Sequence, residues 1–155
     1  MALIHSLLLA AGLVAAAPVD AAPARAAQSA RTVEIAAGDD MKFSVTEIRA
    51  KRGERLRIVL RSGGTMPKIV MAHNLVVLAP GTDAKAFVDA SALARASGFV
   101  APAFAGQLIA STGLAGAGET VEVTFDVPRA PGRYEYVCSF PGHFIAGMRG
   151  VLVVK

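Results

Sequence analysis

The stretch VEVTFDVPRAPGRYEYVCSFPGHFIAGMRGVLVVK, residues 121–155, decides the architecture. Val121, Val123, Phe125 and Val127 alternate with Glu122, Thr124 and Asp126, the two-residue period of a strand with one wet face. Pro131-Gly132 is a turn. Arg133 to Cys138 is the next strand, with Tyr134, Tyr136 and Cys138 on one face, and residues 150–155 form the last. Between these two strands runs CSFPGHFIAGM, a loop in which Pro141, Gly142 and Gly147 let the chain turn back on itself.

Upstream the same pattern recurs. Thr32 to Ala36, Phe43 to Ile48 and Arg55 to Arg61 read as short strands separated by turn residues. His73 to Leu78 is apolar on both faces, as a more buried strand requires. Several strands at this spacing predict one antiparallel sandwich. The exception is Pro80 to Gly118, an excursion within the same domain. Pro80-Gly81-Thr82-Asp83 leads into a helix N-cap, Asp83 to Ala96 is an Ala-rich helix with Phe87, Ala90 and Ala94 on one side, and Ser97-Gly98 stops it.

Composition narrows the function. The chain has 155 residues, 54% apolar, with a net charge of +4, enough apolar material for one globular domain. The densest basic run, Lys51, Arg52, Arg55, Arg57 and Arg61, is broken by Glu54 and alternates with Leu56, Ile58 and Leu60. That is the wet face of a strand, not a nucleic-acid surface. Residues 7–17, LLLAAGLVAAA, have the length of a signal-peptide core and are too short for a comfortable membrane span. Ala22-Pro23-Ala24 and Ala24-Arg25-Ala26 are small-x-small cleavage sites. The reading is a signal peptide over 1–26, a flexible lead-in over 27–30 and one domain over 31–155, exported to a periplasm or beyond, with no stable membrane insertion after cleavage. No Lys or Arg precedes the apolar run, so a retained anchor is the competing reading.

An exported protein usually pairs its cysteines. This one has a single cysteine, Cys138, which is inert, reactive, intermolecular or a metal ligand. The loop argues for the last. Cys138, His143 and Met148 stand in Cys-x4-His-x4-Met, and His73 supplies a second imidazole from a neighbouring strand. Taken singly, each reads as core filling. Taken together, they are two nitrogens, one thiolate and one thioether, the donor set of a blue-copper electron-transfer site. Soft sulfur favours Cu(I) and imidazole suits Cu(II), so a compromise site need not rearrange when an electron moves.

On these residues the chain resembles the azurin and plastocyanin group of cupredoxins. MPKIVMAHNLVVL (Met66 to Leu78) resembles the azurin segment around its first copper histidine, and VTFDV (Val123 to Val127) and CSFPGH (Cys138 to His143) match as well. LIASTGLAGAG (Leu108 to Gly118) resembles the approach to that strand, and the helix falls where azurin has its helical insertion. The resemblance implies an all-β Greek-key sandwich with one helical insertion, holding one copper ion that alternates between Cu(I) and Cu(II). It implies His73, His143 and Cys138 as equatorial ligands and Met148 as the axial one. It implies that Asn74 ties the two ligand loops through the backbone and hydroxyl of Ser139, and that the Phe140 amide bonds the Cys138 sulfur. Met71 would join Phe144 and Ile145 in an apolar docking patch around the exposed histidine. Three features depart from azurin: a His-to-Met interval of four residues rather than three, as in auracyanin and rusticyanin, no counterpart of the azurin disulfide, and Ala72 in place of a glycine whose carbonyl lies near copper. A fifth, carbonyl ligand is left open.

The function expected is one-electron shuttling between redox proteins such as a cytochrome or a copper oxidoreductase. Copper oxidases and nitrite reductases need a second copper and more histidines than the mature chain has. A Cys-His hydrolase needs an aligned base and an oxyanion site. The alternative kept is an exported copper carrier or storage protein, which would use the same soft ligands.

Overall fold

The computed structural model describes residues 29–155. The signal peptide and the first two residues of the lead-in, 27 and 28, fall outside the described residues. Among the described residues eight strands form two sheets. They are β1 (Arg31–Ala37), β2 (Glu47–Ala50), β3 (Arg55–Ser62), β4 (Val76–Leu78), β5 (Leu108–Ser111), β6 (Thr120–Asp126), β7 (Gly132–Val137) and β8 (Arg149–Val154). The smaller sheet has the order β1-β3-β6 and the larger β2-β8-β7-β4-β5. The core between them holds Ile35, Phe43, Ile48, Leu56, Ile58, Leu60, Phe125, Tyr134, Tyr136 and Leu152. The alternation read in Arg55 to Arg61 is present: Leu56, Ile58 and Leu60 point inward. On the outside Arg55 pairs with Asp126, Arg57 with Glu122 and Arg61 with Glu34, so the basic run of this strand is neutralised by its neighbours.

The sandwich is not purely antiparallel. β1 pairs parallel with β3, and β2 pairs parallel with β8. Sequence period cannot distinguish the two directions, because a strand buries alternate residues in both. The strand expected over Phe43 to Ile48 starts later, at Glu47. Phe43 instead makes an isolated bridge to Ala37, and Ser44 Oγ accepts a bond from Ala36 N–H, which bends the chain before β2. The strand expected over His73 to Leu78 is regular only from Val76, and His73 forms an isolated bridge with Ala115. β5 was read only as an approach segment.

The helical excursion explains why Val76–Leu78 is buried on both faces. Val77 faces the main core, while Val76 and Leu78 pack under α1 (Ala84–Ala92) with Phe87, Val88 and Phe104. Asp83 caps the helix by accepting from Ala86 N–H at 3.0 Å. The helix ends at Ala92, four residues before the expected stop. Its buried face is Phe87, Val88 and Ser91, not Phe87, Ala90 and Ala94. Ala94 leaves helical geometry, Arg95–Ser97 forms a 3-10 turn, and Phe99, at φ 59°, donates back to Ala94 O at 3.0 Å. That reversal carries Gly98 and Phe99 to the ligand loops.

One glycine is fixed by packing. A Cβ on Gly150 would stand 2.3 Å from the Tyr136 ring, whose hydroxyl donates to Val45 O at 2.6 Å.

Candidate metal centre

The loop between β7 and β8 closes on itself. Cys138 N–H donates to Met148 O at 3.1 Å, Met148 N–H to His143 O at 2.9 Å, and His143 N–H to Phe140 O at 3.1 Å. Gly147, at φ 89°, makes the return bend that a side chain would strain. Lys42 reaches across from the β1–β2 connection and donates to Ala146 O. His73 comes from the β3–β4 connection, where its N–H and carbonyl pair with Ala115 at 2.8 Å each.

These loops bring His73, Cys138 and His143 together, all buried, with one potential ligand atom from each lying within 4.8 Å of the others. Cys138 Sγ lies 3.4 Å from His143 Nδ1, and the two imidazole centroids are 4.9 Å apart. Met148 is fully buried at the end of the same loop. Neither ring nitrogen of His73 has a hydrogen-bond partner. A buried imidazole is rarely left so, and a neutral ring nitrogen beside a thiol and a second imidazole offers the kind of lone pair that a metal ion takes.

Electrostatics suits the same ion. Burial, helped by the neighbouring His73, pulls His143 down to about 4, and burial lowers His73 against the opposing pull of Asp39 and Asp40. Both rings are therefore neutral at pH 7 and offer lone pairs. Burial pushes the Cys138 thiol up to about 11, while the backbone N–H groups of Asn74 and Phe140 act in the opposite sense by bonding the sulfur. A cation that displaces the thiol proton reverses that balance. Soft thiolate with imidazole, and no carboxylate in the group, is a donor set for copper.

Around the centre, Asn74 joins the two loops. Its Nδ2 donates to Ser139 Oγ at 2.9 Å and to Gly98 O at 3.3 Å, and its Oδ1 accepts from Ser139 N at 2.9 Å. Ser139 Oγ also donates to Phe99 O. Phe140 packs on His143 at 4.9 Å and Phe99 on Phe140 at 5.0 Å, so the helical excursion backs the ligand loop. Sequence reasoning named Asn74, Ser139 and Phe140 but missed the Asn74 amide as a second donor to sulfur. It also missed Thr112, whose Oγ1 accepts from Leu75 N–H at 3.0 Å beside His73. Met71 is 9% exposed and faces inward, so it adds little surface, whereas Ile69 is 68% and Val70 53% exposed. Ile145 is 83% exposed. Phe144 is half-buried against the α1 cluster, with the Arg149 guanidinium 5.2 Å from its ring. His143 itself is only 2% exposed.

A β-sandwich with one buried Cys/His/His group at the end of its strands defines a single-metal, soft-donor protein. The chain belongs to the copper binding proteins of the plastocyanin/azurin family, whose model matches residues 29–155. It is 37% identical over 127 residues to auracyanin-B of Chloroflexus aurantiacus, covering 81% of this chain but only 52% of that protein. It is 40% identical over 124 residues to azurin-1 of Alcaligenes xylosoxydans xylosoxydans, covering 78% of this chain and 95% of that one. Among solved structures it superposes on auracyanin A, a blue copper protein from a green thermophilic photosynthetic bacterium, Chloroflexus aurantiacus. The TM-score is 0.70 with 32% identity over 82% of this chain and 100% of that one.

Proposed function

We propose that this chain carries single electrons between redox proteins on one copper ion held by His73, Cys138, His143 and Met148. The observation that carries the reading is the convergence of a buried thiol and two neutral imidazoles at a point where His73 has no other partner. Copper supplies a one-electron couple between Cu(I) and Cu(II). The protein's part is to fix the donors beforehand. Cys138 gives up its proton, and the amides of Asn74 and Phe140 share the charge left on sulfur. The Asn74–Ser139 bonds and the Phe99–Phe140–His143 stack resist any change in loop geometry between oxidation states.

An exported copper carrier or storage protein would use the same donors but release the ion. The visible spectrum and repeated redox cycling separate the two. An electron carrier keeps its intense thiolate band through many cycles in the presence of a chelator. Copper lost at each reduction would identify the carrier instead. We read the protein as a carrier of electrons and not as an enzyme, in keeping with its membership of the plastocyanin/azurin family of copper binding proteins.

Met148 is read as the weak axial donor, which tunes potential more than affinity. Met148→Leu conserves volume and is expected to cost below about 1.5 kcal/mol in folding. It should keep a coloured site and raise the reduction potential, as voltammetry would record. Loss of copper from this variant would refute the axial role.

Electrons are proposed to enter and leave through His143, beneath an apolar surface made by Ile145 and Phe144 with Met66, Ile69 and Val70 from the loop before His73. Redox encounters use small contacts and part quickly. Ile145→Lys is expected to slow electron self-exchange by roughly tenfold or more, equivalent to about 1.4 kcal/mol in the encounter, with the copper spectrum unchanged. NMR line broadening in mixed-oxidation samples measures it, and an unaltered rate would move the docking surface elsewhere. A cytochrome or a copper oxidoreductase fits such a surface as partner. The signal-like segment over 1–26 supports export, and no helix among the described residues is long and apolar enough to cross a membrane.

A further inference from the structure

The exposed large apolar side chains and one group of unpaired cations lie at opposite ends of the strands. The exposed large apolar side chains, Met66, Ile69, Val70, Leu93 and Ile145, all sit on connections at the metal end or at the helix terminus leading to it. The opposite end is where Gly132 pairs with Val154, and Val154 with Ala50. There Lys51 and Arg52 lie in the β2–β3 turn, Arg129 in the β6–β7 turn, Arg133 at the start of β7 and Lys155 just after β8, all exposed. Among the described residues none of these five is in an ion pair. The acidic residues nearby are already taken, Glu54 by Arg31, Asp126 by Arg55 and Glu47 by Arg49.

The basic groups are held as an array. Arg52 N–H donates to Lys155 O at 3.3 Å, Lys155 N–H to Ala50 O at 3.1 Å and Gly53 N–H to Val127 O at 3.1 Å, which draws the turns and the last strand together. The Arg129 guanidinium lies against Gly53, 3.9 Å from where a Cβ would stand. Between them opens a shallow cleft lined by Arg31, Arg49, Ala50, Lys51, Glu54 and Lys155. β1 begins at this end, so whatever precedes Arg31 joins the domain here, and the apolar run of residues 7–17 ends fourteen positions before it.

We propose that this basic end lies against an anionic phospholipid surface, which leaves the metal end facing away from the bilayer. Two points favour lipid over an acidic protein. A redox partner seated here would be separated from the His143 side by the length of a six-residue strand, about 20 Å, and would gain nothing from the site. The unpaired cations also come from two separate turns, the start of β7 and the residue after β8, all at one end, which suits a broad surface rather than a single pocket. Clustered Lys and Arg beside a chain entry are attracted by anionic headgroups over about a Debye length, so the attraction is salt-sensitive.

The test is flotation of the copper-loaded protein, as isolated from the exported fraction, with vesicles of phosphatidylcholine alone or with about one third phosphatidylglycerol. Binding is expected only to the phosphatidylglycerol vesicles and should weaken about tenfold or more between low and physiological salt. Lys51→Glu combined with Lys155→Glu should weaken it about tenfold or more. Lys85→Glu combined with Arg95→Glu makes the same change in net charge elsewhere and should alter it less than about twofold. An unchanged visible band in both double variants shows that the fold and the metal centre persist. Equal weakening by the two pairs would overturn the proposal. So would salt-insensitive binding to phosphatidylcholine alone, which would report insertion of a retained leader, or tighter binding to soluble polyglutamate than to the vesicles, which would point to an acidic protein.

Discussion

Cys138→Ser is expected to give a colourless protein that still folds. The two side chains differ by one atom, and the backbone bond from residue 138 to Met148 O is untouched by the change. The chemistry differs far more. A thiol held up near 11 by burial can still give its proton to a cation, with two amide N–H groups ready to bond the sulfur anion. A serine hydroxyl in the same place stays protonated and offers a hard oxygen that copper binds weakly. The intense visible band, which comes from copper–thiolate covalency, should fall to baseline, and copper stoichiometry after dialysis should fall with it. The apo variant should melt close to the apo wild type. A variant that keeps the full spectrum would remove Cys138 from the site and with it the electron-transfer reading.

The second large effect is expected at Asn74. Truncation to alanine removes two buried bonds, to Ser139 Oγ and from Ser139 N–H, and a part-buried one to Gly98 O. Each is worth about 1 kcal/mol, and the orphaned Ser139 N–H adds a desolvation cost, so about 2–4 kcal/mol of stability should be lost. Copper affinity should fall roughly 10–100-fold, the usual range when a group supporting a ligand is lost. Ser139→Ala keeps the residue 139 N–H bond to Asn74 Oδ1 and should cost less in both measures. Urea unfolding and competition with a chelator read the two quantities separately. A loss under about 0.5 kcal/mol, the scale of an ordinary surface substitution, would mean that Asn74 does not join the loops as described.

The metal centre was more legible in the sequence than the sheet pairing. Three of its four proposed donors, Cys138, His143 and Met148, are residue types that are scarce in this chain and crowded into one loop, a pattern that can be read whichever way the strands pair. Strand alternation was equally readable, because Leu56, Ile58 and Leu60 obey a local period. Pairing direction is set by partners distant in sequence, so the parallel β1–β3 and β2–β8 pairs left no trace. β5 was missed because Leu108–Ser111 is mostly half-exposed and sits in a run of small residues, without alternation. The helix end was misplaced because Ala94 and Ala96 are good helix formers, overridden by the turn that brings Phe99 against Phe140. Contacts made by backbone atoms, such as the Asn74 amide at the Cys138 sulfur or the Ala146 carbonyl under Lys42, depend on geometry that residue identity does not encode.

The hydrogen bond between Cys138 N–H and Met148 O makes the ligand loop a closed ring of chain with a narrow neck. Everything between those two residues can lengthen, shorten or change side chains while the neck still meets β7 and β8 in the same register. The sandwich is then a chassis and the loop an exchangeable cartridge. Of the four proposed donors only His143 lies inside the cartridge: Cys138 and Met148 form its neck at the ends of β7 and β8, and His73 is held to the chassis by its bridge to Ala115. A lineage built this way can retune its redox chemistry by loop drift alone, without renegotiating the core.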